Sequence, residues 1–210
     1  MTTTSSSPTD SRPSVVLLAG SLRRPSYTHG LCRALAESLD RAGLAATLFD
    51  MRDQALPLAD AAWHRDPASH PDPVVRRMVA AVDGAAAIVL ATPLYHNGPS
   101  GALKNTLDLL SIPQLAYKPV GLASHGGGRT TQAVDQMRIW VRGLLGHAIA
   151  TQVCTDRRDF TEAAATDPAT DGPHTDPQLA DPLILQRVDR FAQEMVVMAQ
   201  VMRVARQALI

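Results

Sequence analysis

Five short apolar runs alternate with five segments whose apolar residues recur at helical spacing, and this alternation limits the chain to few folds. The runs fall at 15–19, 45–49, 87–91, 119–123 and 148–155, the helical segments at 27–42, 73–82, 100–110, 130–146 and 183–208. A run such as Val15-Val16-Leu17-Leu18 has no polar face, so it belongs to a strand covered on both sides. Strands and helices in alternation build βαβ units around a parallel sheet. With 210 residues, 45% of them hydrophobic, one sizeable α/β domain can be buried. The expectation is one domain over 14–210 behind a disordered tail over 1–13. Two proline-rich stretches, 53–72 and 156–182, interrupt the pattern and read as exposed loops. The second is too long for a passive connection, which suggests that it is mobile, covers a site or reaches a partner.

Charge and cysteine content narrow the partners. Twenty basic and twenty acidic residues cancel, so no global field recruits nucleic acid or an anionic membrane. No run of about 20 apolar residues provides a membrane span, and 1–13 carry no signal-peptide core. Cys32 and Cys154 stand too far apart in sequence to suggest a disulfide framework or metal site, which fits a reducing cytoplasm.

The first strand runs into Gly20-Ser21-Leu22-Arg23-Arg24-Pro25-Ser26-Tyr27-Thr28 and then into a helix. Gly20 permits a tight turn, Ser21, Ser26 and Thr28 offer hydroxyls, and the unpaired N–H groups of a helix start attract a phosphate. An ordinary turn with Ser26 as N-cap is the plain alternative. Neither G-x-x-x-x-G-K-[ST] nor G-x-G-x-x-G is present, so a P-loop hydrolase and a Rossmann dinucleotide site are disfavoured. The loop has no cysteine, which removes thiolate phosphatases.

In an open parallel sheet the ligand lies at the carboxyl ends of the strands, where the loops after the first, third and fourth strands share a crevice. The third strand leads to Pro93-Leu94-Tyr95-His96-Asn97, stiffened by Pro93 and Pro99, and able to offer backbone groups and an aromatic edge to a flat ring. The fourth leads to Ser124-His125-Gly126-Gly127-Gly128, where three glycines let main-chain N–H groups approach a ligand that becomes anionic on reduction.

Together GSLRRPSYT, ATPLYHNGPSGALKNTLD and SHGGGRTTQAV resemble the three ligand loops of the NADPH-dependent FMN reductase family, over Val15 to about Thr155. The resemblance implies a flavodoxin-like three-layer α/β sandwich with a five-stranded parallel sheet, order 2-1-3-4-5, and helices on both faces. It implies an FMN phosphate held by Ser21, Arg23, Ser26 and Thr28 with Tyr27 nearby. The isoalloxazine would be bordered by Pro93, Leu94, Tyr95, His96 and Asn97 and by Ser124, His125, Gly126, Gly127 and Gly128. No side chain is assigned acid–base chemistry, because the flavin carries the hydride. NADPH or NADH is the implied donor, and free flavin, a quinone, an azo compound or a metal oxyanion the acceptor. Arg23, Arg24 and Arg129 are candidates for the extra phosphate of NADPH. Thr28 replaces a frequent asparagine, Leu94 a glutamate, His96 an asparagine and Ser100 a proline. These last changes resemble members that serve sulfonate-utilising monooxygenases, so such a monooxygenase is a candidate partner. Homodimers or homotetramers are further implied, with the stripe Val188, Phe191, Met195, Met198 and Met202 serving either the core or a partner chain. Two other classes stay open: a flavodoxin-like electron carrier, disfavoured by the balanced charge, and a non-catalytic module that senses a phosphorylated metabolite.

Overall fold

A computed structural model describes residues 11–161 and 175–210. Six strands form: β1 (Ser14–Ala19), β2 (Ala45–Asp50), β3 (Ala87–Tyr95), β4 (Gly98–Pro99), β5 (Pro119–His125) and β6 (His147–Thr155). The helices are α1 (Tyr27–Arg41), α2 (Pro73–Gly84), α3 (Gly101–Asp108), the single turn α4 (Ile112–Leu115), α5 (Gln132–Gly143) and α6 (Pro182–Leu209). The five long strands pair in parallel in the order β2-β1-β3-β5-β6. This is the flavodoxin-like order expected from the sequence.

β1 shows why the apolar runs have no polar face. Val15, Leu17 and Ala19 join the core under α1 and α6, whereas Val16 and Leu18 join the core under α2, α3 and α5. Successive strand residues point to opposite faces, and both faces here are covered by helices.

The sheet departs from five strands at β4, which folds back antiparallel on the end of β3 with Leu94 opposite Pro99 and Tyr95 opposite Gly98. His96 and Asn97 form the turn with φ of 48° and 64°, as a two-residue hairpin with both central residues left-handed requires. A strand of two residues has no periodicity to reveal it.

Three further expectations change. Residues 11–13 of the expected tail lie against the domain: Ala45 N–H donates to Pro13 O at 2.9 Å and Arg12 pairs with Asp40. Residues 1–10 lie outside the described residues, as do 162–174 of the long loop. Neither loop is simply exposed, since Pro67 and His70 are buried in the first and Asp159, Phe160, Asp176 and Leu179 in the second. Finally, Val188, Phe191 and Met195 of the α6 stripe belong to the internal core.

α6 packs so closely on β5 that only glycine fits at position 121. A Cβ there would stand 2.1 Å from Phe191 Cζ. Gly121→Ala is expected to cost about 1–3 kcal/mol through overpacking. The double variant with Phe191→Leu should cost less than the two single changes added together, as measured by denaturant unfolding.

Candidate functional site

The carboxyl ends of β1, β3 and β5 open into a cavity of about 510 Å³. It is lined by Ser21, Arg23, Pro25, Ser26, Tyr27 and Thr28 from the first loop, Pro93, Leu94 and Tyr95 from the second, and His125 and Gly126 from the third, with Arg157 beyond β6. Ser124, just before, is buried. His96 and Asn97 sit at the exposed hairpin tip, where Asn97 O accepts from Gln136 Nε2 at 2.7 Å. Gly127 and Gly128 are exposed on the third loop and are not part of the cavity wall.

At the first loop Ser26 caps α1, its Oγ accepting from His29 N–H at 3.3 Å and donating to Ser21 Oγ at 2.9 Å. One of the two hydroxyl protons is used between the serines, and the other is left for a ligand. The N–H groups of Tyr27 and Thr28, first and second in the helix, have no partner among the described residues. A hydroxyl donor and two helix-start donors in one cavity suit a phosphate.

At the third loop glycine is needed at 126 for its backbone angle and at 127 for space. Gly126, Gly127 and Gly128 have φ of 122°, 60° and 69°, and a Cβ at Gly127 would meet Leu94 Cδ2 at 2.4 Å. The Gly126 N–H is already donated to Thr155 O at 2.8 Å, so of the three N–H groups assigned to a reduced ring only those of Gly127 and Gly128 stay uncommitted.

Tyr27 and His125 tie the first and third loops together, their rings stacked 8° from parallel at 4.7 Å. Phe160 meets both edge-on, at 5.2 and 5.4 Å. Thr155 Oγ1 lies 3.2 Å from Ser124 O, to which it can donate, and 3.1 Å from His125 Nδ1. Burial lowers the His125 pKa to about 4, so the ring is neutral at physiological pH.

The arginines divide into two groups. Arg24 pairs with Asp53, and Arg129 donates to the buried Asp159, with Nε 3.0 Å from Oδ1, and to Asp181 at 2.8 Å. These two are structural ties and not candidates for a nucleotide phosphate. Arg23 and Arg157 line the cavity and make no ion pair among the described residues. Arg157, Phe160 and Asp159 had no signal in the sequence.

The cavity volume falls within the roughly 300–1,000 Å³ of small-molecule sites, and its donor set fits a flavin mononucleotide. An oxidoreductase from Corynebacterium diphtheriae superposes with a TM-score of 0.70 at 16% identity, over 90% of this chain and 98% of that one. The flavoenzyme NAD(P)H:(acceptor) oxidoreductase of Paracoccus denitrificans has a TM-score of 0.64 at 18% identity, over 89% and 98%. At such identities the likeness establishes the fold. By sequence, the chain is 31% identical over 148 residues to an FMN-dependent NADPH-azoreductase of Staphylococcus aureus, which is 70% of this chain and 79% of that protein. The family model for NADPH-dependent FMN reductases matches residues 13–158, a stretch that holds all three loops around the cavity, and the chain belongs to that family.

Proposed function

We propose that the cavity at the ends of β1, β3 and β5 binds FMN with its phosphate on the first loop and its ring between the second and third. The single observation that carries this reading is the convergence of the one uncommitted hydroxyl proton of the Ser21–Ser26 pair with the unpaired Tyr27 and Thr28 N–H groups. The enzyme is an NADPH-dependent FMN oxidoreductase that passes electrons to small-molecule acceptors. Neither the carrier nor the sensor alternative fits its family. When bound, FMN supplies a centre that takes a hydride from the nicotinamide and passes two electrons on.

The chain's own residues bind and orient. Pro93, Leu94 and Tyr95 form an apolar wall, and Tyr95 is 45% exposed, which leaves its ring available to a second planar molecule. The uncommitted Gly127 and Gly128 N–H groups, exposed just beyond the cavity wall at Gly126, would stabilise negative charge on a bound reduced ring. His125, neutral and fixed by Thr155, adds no positive charge there. Arg23 and Arg157 favour NADPH through its additional phosphate.

An azo compound is the favoured acceptor class, because the Staphylococcus aureus relative bears that activity in its name. A sulfonate-utilising monooxygenase as recipient of reduced flavin rests on Leu94, His96 and Ser100 alone. Self-association as a homodimer or homotetramer is favoured by Val197, Val201 and Val204, each more than half exposed on one side of α6. A cytoplasmic location accords with two free cysteines and with the absence, among the described residues, of a helix able to cross a membrane.

Removing both hydroxyls with Ser21→Ala and Ser26→Ala is expected to weaken FMN binding about tenfold, from the one hydroxyl bond to the charged phosphate of ~1.5 kcal/mol that the pair can supply. Flavin fluorescence titration measures it, and unchanged affinity would overturn the phosphate assignment. Arg157→Met is expected to raise KM for NADPH by about three- to tenfold while leaving NADH unaffected, because only the phosphate contact is lost. Steady-state oxidation of the two nucleotides decides that point; equal changes for both would remove Arg157 from donor selection.

A further inference from the structure

The start of α1 makes half of a reciprocal cap. Ser26 accepts the His29 N–H, and in a capping box the residue at the His29 position is Glu or Gln, whose side chain takes the N–H of the capping residue in return. His29 does not do so. Its ring turns beneath the loop, where Nε2–H donates to Ser21 O at 3.0 Å and Nδ1 stands 3.4 Å from the Asp50 carboxylate. The Ser26 N–H is taken instead by Asp176 Oδ1 at 2.8 Å, from a residue 150 positions further along the chain. Asp176 lies outside the stretch 13–158 that defines the family match.

Asp176 is itself held firmly and is only 6% exposed. Arg52 grips both its oxygens, Nη1 at 2.9 Å and Nη2 at 3.2 Å, and Arg33 Nη2 reaches Oδ2 at 3.2 Å. Arg52 also chelates Asp50, with Nε 3.0 Å from each oxygen, and its Nη1 donates to Arg23 O at 3.4 Å. Two carboxylates and two guanidinium groups cancel in this cluster. The carboxylate therefore reaches the helix start without imposing net negative charge on an anion bound there. The neighbouring backbone is equally close: a Cβ on Gly30 would stand 1.9 Å from Pro177 O. Thus α1 and the returning segment 175–180 meet in a contact that a side chain at position 30 would disrupt.

We propose that Asp176 is a positioning residue for the phosphate end of the flavin site. By accepting the Ser26 N–H it sets the 21–28 loop in the conformation where the Ser21 hydroxyl and the Tyr27 and Thr28 N–H groups converge. The phosphate then meets donors that are already ordered, and the cost of ordering them is not charged to binding. This inference rests on the reading of that loop as the FMN phosphate site.

FMN and riboflavin share the ring and differ in the phosphate, so their dissociation constants separate a phosphate effect from a general loss of structure. Both are measured by flavin fluorescence, with thermal midpoints, for the wild type, Asp176→Ala, Asp176→Asn and Gly30→Ala. Asp176→Ala is expected to weaken FMN about tenfold and to leave riboflavin within about twofold, the range for losing a hydrogen bond to a charged group. Asp176→Asn keeps an acceptor oxygen for Ser26 and should recover part of the loss. Gly30→Ala, which displaces Pro177 and with it the adjacent Asp176 while keeping the carboxylate in the chain, should give the same selective FMN defect, and it decides the matter if Asp176→Ala does not fold. Equal weakening of FMN and riboflavin overturns the proposal, as does tighter FMN binding from the freed Arg52 and Arg33. An asparagine variant no better than alanine also overturns it. A wild-type protein with no preference for FMN over riboflavin fails at an earlier step, because the phosphate reading itself is then wrong.

Discussion

The double burial of β1 is the constraint from which the site follows. Lying between β2 and β3 with helices over both faces, this strand has no exposed edge, and its chain emerges only at its carboxyl end beside Ala91 of β3. Gly20 N–H donates to Ala91 O at 2.8 Å and Gly20 O accepts from Ser100 Oγ at 2.6 Å, so the first loop is joined to the third strand and to the start of α3 from its first residue. A Cβ at Gly20 would stand 2.6 Å from Leu103 Cβ, which makes glycine necessary where the loop begins. The first loop of the cavity is thus anchored in the buried core.

Much of this was legible in the sequence because it depends on local pattern. The strand runs, the helix positions and the three loops are encoded by neighbouring residues, and the order 2-1-3-4-5 came with the family resemblance. What the sequence concealed depends on pairing across long separations. Asp176 meets Ser26 over 150 residues, and Phe160 packs on Tyr27 and His125 although it follows the last strand of the sheet. Arg129 misled for a physical reason: an arginine directly after three glycines looks ready for a ligand, but the fully buried Asp159 needs a cation more.

The same pairing explains how a chain of zero net charge presents cations at the cavity. Carboxylates behind and beside the loops consume Arg24, Arg52 and Arg129. Arg23 and Arg157 remain at the cavity without such partners among the described residues. Local positive potential is therefore created by the distribution of acidic residues, a property invisible to a net-charge count.

The stretch beyond the family match takes part in the site from two directions. At one end Asp159 holds Arg129 at the close of the third loop and Phe160 supports the Tyr27–His125 stack. At the other Asp176 holds Ser26 on the first loop. The two loops already touch through the aromatic stack, so the returning chain forms a second connection between them. Groups that share one hydrogen-bonded and packed network do not contribute independently. The first and third loops are therefore joined twice, through the aromatic stack and through the contacts of 159–160 with 179–180 beside Asp176.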